Sequence, residues 1–120
     1  MIKQQIELQV LRIAEQVKAG QKCEYAFVEL KLEWPGPREA ARQFAAHANA
    51  AHGEPILWII GMNDKQRLII DAPHEELANW WPAVKAEFDG GTSPDLLCDL
   101  NVAVGDKTVV ALSFATDRAP

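Results

Sequence analysis

Several things this chain has little of already narrow its class. Cysteine occurs only at Cys23 and Cys98, far apart and without a Cys-x-x-Cys spacing, which points to reduced structural thiols rather than a disulfide framework or a zinc site. Serine occurs only at Ser93 and Ser113. Neither lies in Gly-x-Ser-x-Gly, which argues against a nucleophile-elbow hydrolase. Long apolar runs are missing as well: none approaches the roughly 18 residues that a membrane-spanning helix needs. The start, Met1-Ile2-Lys3-Gln4-Gln5, does not read as a signal peptide, so the cytoplasm is the expected compartment and no membrane partner is expected. Basic charge is the last deficit, with 12 Lys and Arg against 17 Asp and Glu and a net charge of -5. A protein that held nucleic acid mainly by neutralising phosphates is expected to carry the opposite sign. Any such role here must use a local basic patch, a metal ion or an attached domain.

What is present describes an ordinary globular domain. With 120 residues, 48% hydrophobic and 24% charged, the chain has room for one domain with a radius of gyration of about 14 Å. That is long enough to bury a core without covalent staples. Between Lys3 and Lys18 the residues Ile6, Val10, Leu11, Ile13, Ala14 and Val17 recur at helical intervals, with Gly20 placed as a terminator. Tyr25 to Leu32 alternates as a strand, putting Ala26, Val28, Leu30 and Leu32 on one face and Phe27, Glu29 and Lys31 on the other. After the break at Trp34-Pro35-Gly36-Pro37, the stretch from Arg38 to His52 reads as a helix with a face of small residues. The run Ile56-Leu57-Trp58-Ile59-Ile60 reads as a strand buried on both faces. Gly61 to Lys65 reads as a polar turn and Arg67 to Ile70 as a short strand. A helix is expected from about Asp71-Ala72-Pro73 to Phe88, with Glu75 and Glu76 in its first turn, a bend or split at Pro82 and a stop at Asp89-Gly90-Gly91. Leu96 to Val104 and Thr108 to Phe114 read as a hairpin turning at Gly105-Asp106. The order is α-β-α-β-(β)-α-β-β, an α+β class with a mixed sheet packed by helices.

The most informative chemistry-bearing residues lie between Glu24 and Asp64. Glu24 and Glu29 lie five apart at one strand, Lys31 follows, and Asp64 leaves the neighbouring strand. Three carboxylates converging at one end of a sheet would suit Mg²⁺ or Mn²⁺, hard cations that take carboxylate oxygens and keep waters for a phosphodiester. Lys31 would then meet developing negative charge or orient the attacking water. Glu-x-Lys is also common on solvated strand faces, where it serves cross-strand pairing. Arg38 and Arg42, one helical turn apart near Trp34, form the best basic patch visible in the sequence, with a solvated helix face as the alternative. Trp80 and Trp81 point about 100° apart on a helix, one into a core and one toward a lid or partner. His47, His52 and His74 lack zinc spacing.

Together these segments carry a family resemblance. The run Glu24-Tyr25-Ala26-Phe27-Val28-Glu29-Leu30-Lys31, then Ala46-His47-Ala48-Asn49, then Gly53 and Ile56-Leu57-Trp58-Ile59-Ile60-Gly61-Met62-Asn63-Asp64 resembles the Alba-like domain of Schlafen proteins. That domain also occurs in bacterial transcriptional regulators that are often labelled divergent AAA or ATP-binding. The resemblance runs from about Gly20 to the closing Ser113-Phe114-Ala115-Thr116-Asp117-Arg118-Ala119-Pro120. His47 stands where the family usually has Phe, and Gly53-Glu54 stands for its Gly pair. An ATP site is not expected, because no Gly-x-x-x-x-Gly-Lys-Ser/Thr loop is present.

The resemblance implies a DNA- or RNA-binding fold. In some members it implies a metal-dependent endoribonuclease, whose three carboxylates match Glu24, Glu29 and Asp64, with Mg²⁺ or Mn²⁺ as cofactor. The expected reading is a nucleic-acid-binding module with phosphates met by Lys31, Arg38 and Arg42, forming the N-terminal piece of a longer protein whose C-terminal domains follow. The endoribonuclease is the alternative. A protein-interaction or dimerisation domain, a possible homodimer, is the third class, drawn from the acidic charge and the Trp80-Trp81 pair.

Overall fold

Ile56–Ile60 is apolar at every position and forms strand β2, buried throughout at the centre of the sheet, in a computed structural model that describes residues 2–23, 25–88 and 93–116. On one side β2 pairs in parallel with β1 (Val28–Lys31), and on the other it pairs antiparallel with β6 (Lys107–Phe114). β5 (Leu96–Val104) closes the far edge, giving the order β1-β2-β6-β5. The parallel pair needs a crossover, supplied by helix α2 (Pro37–Ala50). The β5–β6 hairpin turns at Gly105-Asp106 with Val104 opposite Lys107, as the sequence suggests. An irregularity between Leu96 and Cys98 leaves Leu97 unpaired and exposed, the geometry of a bulge.

Helices cover both faces. α1 (Lys3–Lys18) lays Ile6, Val10, Ile13, Ala14 and Val17 against Leu57, Ile59, Val102, Val104, Val109 and Ala111. The helix ends in a Schellman arrangement: the Gln21 N–H donates to Gln16 O at 2.8 Å and the Gly20 N–H to Val17 O at 3.0 Å, with Gly20 at φ 76°. α2 and α3 (Leu77–Lys85) cover the opposite face, where Phe44, Trp58, Trp80 and Phe114 form an aromatic core flanked by Trp34 and Trp81. The Cα radius of gyration is 13.6 Å. Among the described residues, no helix is long and apolar enough to cross a membrane.

Four local expectations are corrected. The first strand is shorter than Tyr25–Leu32, because a turn at Ala26-Phe27, closed by the Val28 N–H on Tyr25 O, delays pairing until Val28. Phe27 therefore packs with the α1 cluster, on the side opposite Glu29 and Lys31. The stretch after Gly61 is not simply a polar turn: Met62–Asn63 (β3) pairs with Leu68–Ile69 (β4), and Met62 is wholly buried. The third helix breaks at its start rather than at Pro82. A 3-10 turn, His74–Glu76, precedes α3, which carries Pro82 without interruption. Asp71 accepts the Thr108 N–H at 2.8 Å and so pins a loop to β6 instead of starting a helix. The stop at Asp89-Gly90-Gly91 and the Asp117–Pro120 exit lie outside the described residues.

Candidate nucleic-acid interface

Parallel pairing places Glu29 opposite Trp58, and strand alternation sends Glu29 and Lys31 to the α2 side of the sheet while Val28 and Leu30 pack toward α1. An open groove of 540 Å³ runs between β1 and α2 there. Its walls include Cys23, Tyr25, Glu29, Gln43 and His47. Lys31 is half-buried, with its Nζ 5.9 Å from the centroid of the Trp58 ring. Part of its charge is therefore engaged by an indole face.

His47 is the site residue that sequence reasoning placed least well. Its Nε2 lies 2.8 Å from Ala26 O, and its Nδ1 accepts the Trp58 indole N–H at 3.1 Å. Both partners select the Nε2–H tautomer: a carbonyl can only accept and an indole can only donate. The imidazole thus ties α2 to the turn before β1 and to the centre of the sheet. A Phe at this position would provide neither bond.

Asp64 lies just beyond β3, and its Oδ2 accepts the Cys23 N–H at 2.9 Å. Burial pushes the Cys23 thiol above its ordinary pKa. A backbone hydrogen bond at Tyr25 opposes that shift, and the carboxylates of Asp64 and Glu29 add to it. Asp64 and Glu29 therefore both act on one thiol at the groove's edge, although they reach it from different elements. Glu24, the third carboxylate, lies outside the described residues. Among the described residues, no group of three His, Cys, Asp or Glu side chains is placed to hold a metal ion. Cys23 and Cys98 are both free thiols.

The two arginines nominated from sequence are exposed on α2 and form no ion pair among the described residues. Arg38 precedes Gln43 by five residues and Arg42 precedes His47 by five, a rotation of about 140° in each case. Ala46, a third wall residue, follows Arg42 by one turn and lies only about 40° from it round the helix, so Arg42 borders the groove on that side and Arg38 lies a turn further back on the same flank. Trp34 is committed elsewhere: its indole N–H donates to Pro73 O at 3.0 Å and its ring packs 5.0 Å from Trp80. Trp80 is buried and donates to Pro35 O, while Trp81 is half-buried against Phe44 and Phe114. That division is the one expected for adjacent helical aromatics.

In fold terms the chain is an α+β domain with a four-stranded mixed sheet between helices. No family model matches it, and no curated protein or solved structure matches it either.

Proposed function

We propose that this domain is a nucleic-acid-binding module of the Alba-like, Schlafen type. The observation that carries this reading is the open groove between β1 and α2, where Tyr25, Gln43 and Glu29 offer an aromatic ring, an amide and a carboxylate. Unpaired bases are recognised by stacking together with hydrogen bonds to their edges. The mixed α+β sheet agrees with the reading at the level of fold class. The test is fluorescence anisotropy with labelled RNA and DNA oligonucleotides over a salt titration. Retention that weakens as salt rises is expected. Absence of binding at low salt, with a stable dimer in solution, would replace this reading with a protein-interaction domain.

The endoribonuclease is a second reading, favoured by one observation: Asp64 accepts the Cys23 N–H at 2.9 Å, and Cys23 and Glu29 line the same groove. Mg²⁺ is commonly held by one or two carboxylates plus substrate phosphates, so the pair would need the nucleic acid itself to complete a site. Glu29→Gln should abolish Mn²⁺-dependent cleavage of RNA while leaving the fold intact. Equal cleavage by variant and parent, or none by the parent, discards the nuclease and leaves the binding module.

A further inference from the structure

The resemblance-based reading puts phosphate contacts on α2, but a larger group of exposed cationic residues lies elsewhere. The segments 12–22 and 64–67 hold Arg12, Lys18, Lys22, Lys65 and Arg67, five of the 12 cationic residues, and only Glu15 and Asp64 of the 17 acidic ones. The fold joins these segments at two points. The Arg67 guanidinium lies over Gly20, where a Cβ would come within 2.5 Å of its Cζ, and just past the end of the first segment Asp64 accepts the Cys23 N–H. Lys18 pairs with Glu15 at 3.8 Å. Arg12, Lys22, Lys65 and Arg67 form no ion pair among the described residues.

Two surface hollows connect this lobe to the groove. Arg12 lines one of 620 Å³, whose wall residues Gln16 and Gln21 also line a second, of 490 Å³. Lys22 and Tyr25 complete the second hollow, and Tyr25 in turn lines the β1–α2 groove with Glu29. The result is one polar furrow running from Arg12 past Lys22 to Tyr25 and Glu29. Gln16 Oε1 and Gln43 Oε1, one toward each end, are buried without a hydrogen-bond partner, and such orphaned acceptors call for a donor.

We propose that this furrow is the track of a single nucleic-acid strand, with phosphates met by Lys22, Lys65 and Arg67 and one base stacked on Tyr25. The proposal rests on the nucleic-acid reading and assigns its surface. A strand fits better than a duplex because stacking on a groove-wall ring requires an unpaired base. The local positive lobe also removes the objection raised by the acidic net charge, since counterion release depends on the contacts made and not on the total.

The test uses the whole chain with labelled oligo(rU), oligo(dT) and a mixed-sequence duplex, each about 15 units long. Lys22→Ala/Lys65→Ala/Arg67→Ala should weaken single-strand binding at least tenfold and lower the salt slope by about 2, near the value for three lost single-strand contacts. Because Arg67 covers the end of α1, Lys22→Ala/Lys65→Ala serves as the variant that leaves that contact intact. Tyr25→Ala should cost about tenfold and Tyr25→Phe much less. The rU and dT arms separate RNA from DNA as the source of the strand. Unchanged affinity and slope in these variants, with loss instead in Arg38→Ala/Arg42→Ala, would overturn the furrow while keeping the nucleic-acid reading. Duplex binding tighter than single-strand binding would overturn it too. No binding of any probe by the parent chain would sink the underlying reading itself.

Discussion

The two faces of the sheet are built from different materials. Under α1 the contacts are between aliphatic side chains, chiefly Ile, Val, Leu and Ala. Under α2 and α3 they are largely aromatic, with Phe44 stacked on Trp58 at 4.0 Å and Phe114 set edge-on at 4.5 Å. Aliphatic packing is non-directional, so that face fixes how deep α1 sits but ties down few loops. Each buried indole carries an N–H that needs an acceptor. Trp58 finds it on His47 and Trp80 on Pro35 O, and the half-buried Trp34 donates to Pro73 O. The aromatic face therefore holds irregular segments in place, and the wall of the β1 groove is one of them.

The largest expected difference between the faces comes from neighbouring residues of β2. Trp58→Ala should cost about 4 kcal/mol and Ile59→Ala about 3 kcal/mol. Only the first also strands His47 Nδ1 and loosens the groove wall. Urea denaturation of both variants measures this; a smaller loss for Trp58→Ala than for Ile59→Ala would break the distinction. The aliphatic face has one directional constraint of its own, at Gly61, where β2 turns out of the sheet at φ 117°. A Cβ there would lie 2.8 Å from Ile70 O and 2.9 Å from Val109 Cγ1. Gly61→Ala should therefore cost about 2 kcal/mol or more. Gly53→Ala has a similar φ of 87° but nothing within 4 Å, and should cost about 1 kcal/mol, the backbone penalty alone. Similar losses at the two glycines would show that the contacts around Gly61 yield.

This contrast also explains what could be read before folding. α1, α2, β2 and the β5–β6 hairpin are set by local periodicity and turn chemistry, and they fall close to where pattern places them. The shared side of Glu29 and Lys31 follows from alternation alone. What stayed hidden depends on residues far apart in sequence. The position of Lys31 over Trp58 needs the parallel register of β1 on β2. The role of His47 needs Trp58 and Ala26 brought to it. The basic lobe exists only because the end of α1 meets the β3–β4 hairpin, so composition, which averages over the chain, could register only the acidic total. Arg38 and Arg42 stood out because they are neighbours in sequence, a criterion that favours local pairs over assembled ones.

A smaller effect isolates the directional part of the aromatic face. Trp58→Phe keeps a ring against Phe44 but removes the N–H, and His47→Phe removes both imidazole bonds. Each should cost about 1 to 2 kcal/mol, the penalty of leaving a buried polar partner unpaired. In the double variant the Trp58–His47 pair is gone from both sides, so the losses should be less than additive by about 1 kcal/mol. Strict additivity would mean that the 3.1 Å bond does not couple α2 to β2.

The smallest effect probes the place where the two faces meet. Cys23 packs at the margin of the aliphatic cluster and also lines the groove on the aromatic side. Its thiol is raised by burial first, with Asp64 and Glu29 adding to that. Because the folded value lies above the unfolded one, folding favours the protonated thiol. That contribution is fully present below the ordinary thiol range and is lost as pH climbs through the raised value. Asp64→Asn keeps a side-chain acceptor for the Cys23 N–H while removing the charge, so it should lower the thiol pKa and soften the fall in stability at alkaline pH. Iodoacetamide alkylation against pH, in a Cys98→Ser background, reads the midpoint directly, and Glu29→Gln should move it in the same direction by less. A midpoint that moves with Asp64 but not with Glu29 would place the two carboxylates in separate fields and count against the nuclease reading. A midpoint that moves with both locates the corner where the furrow passes from the basic lobe to the carboxylates.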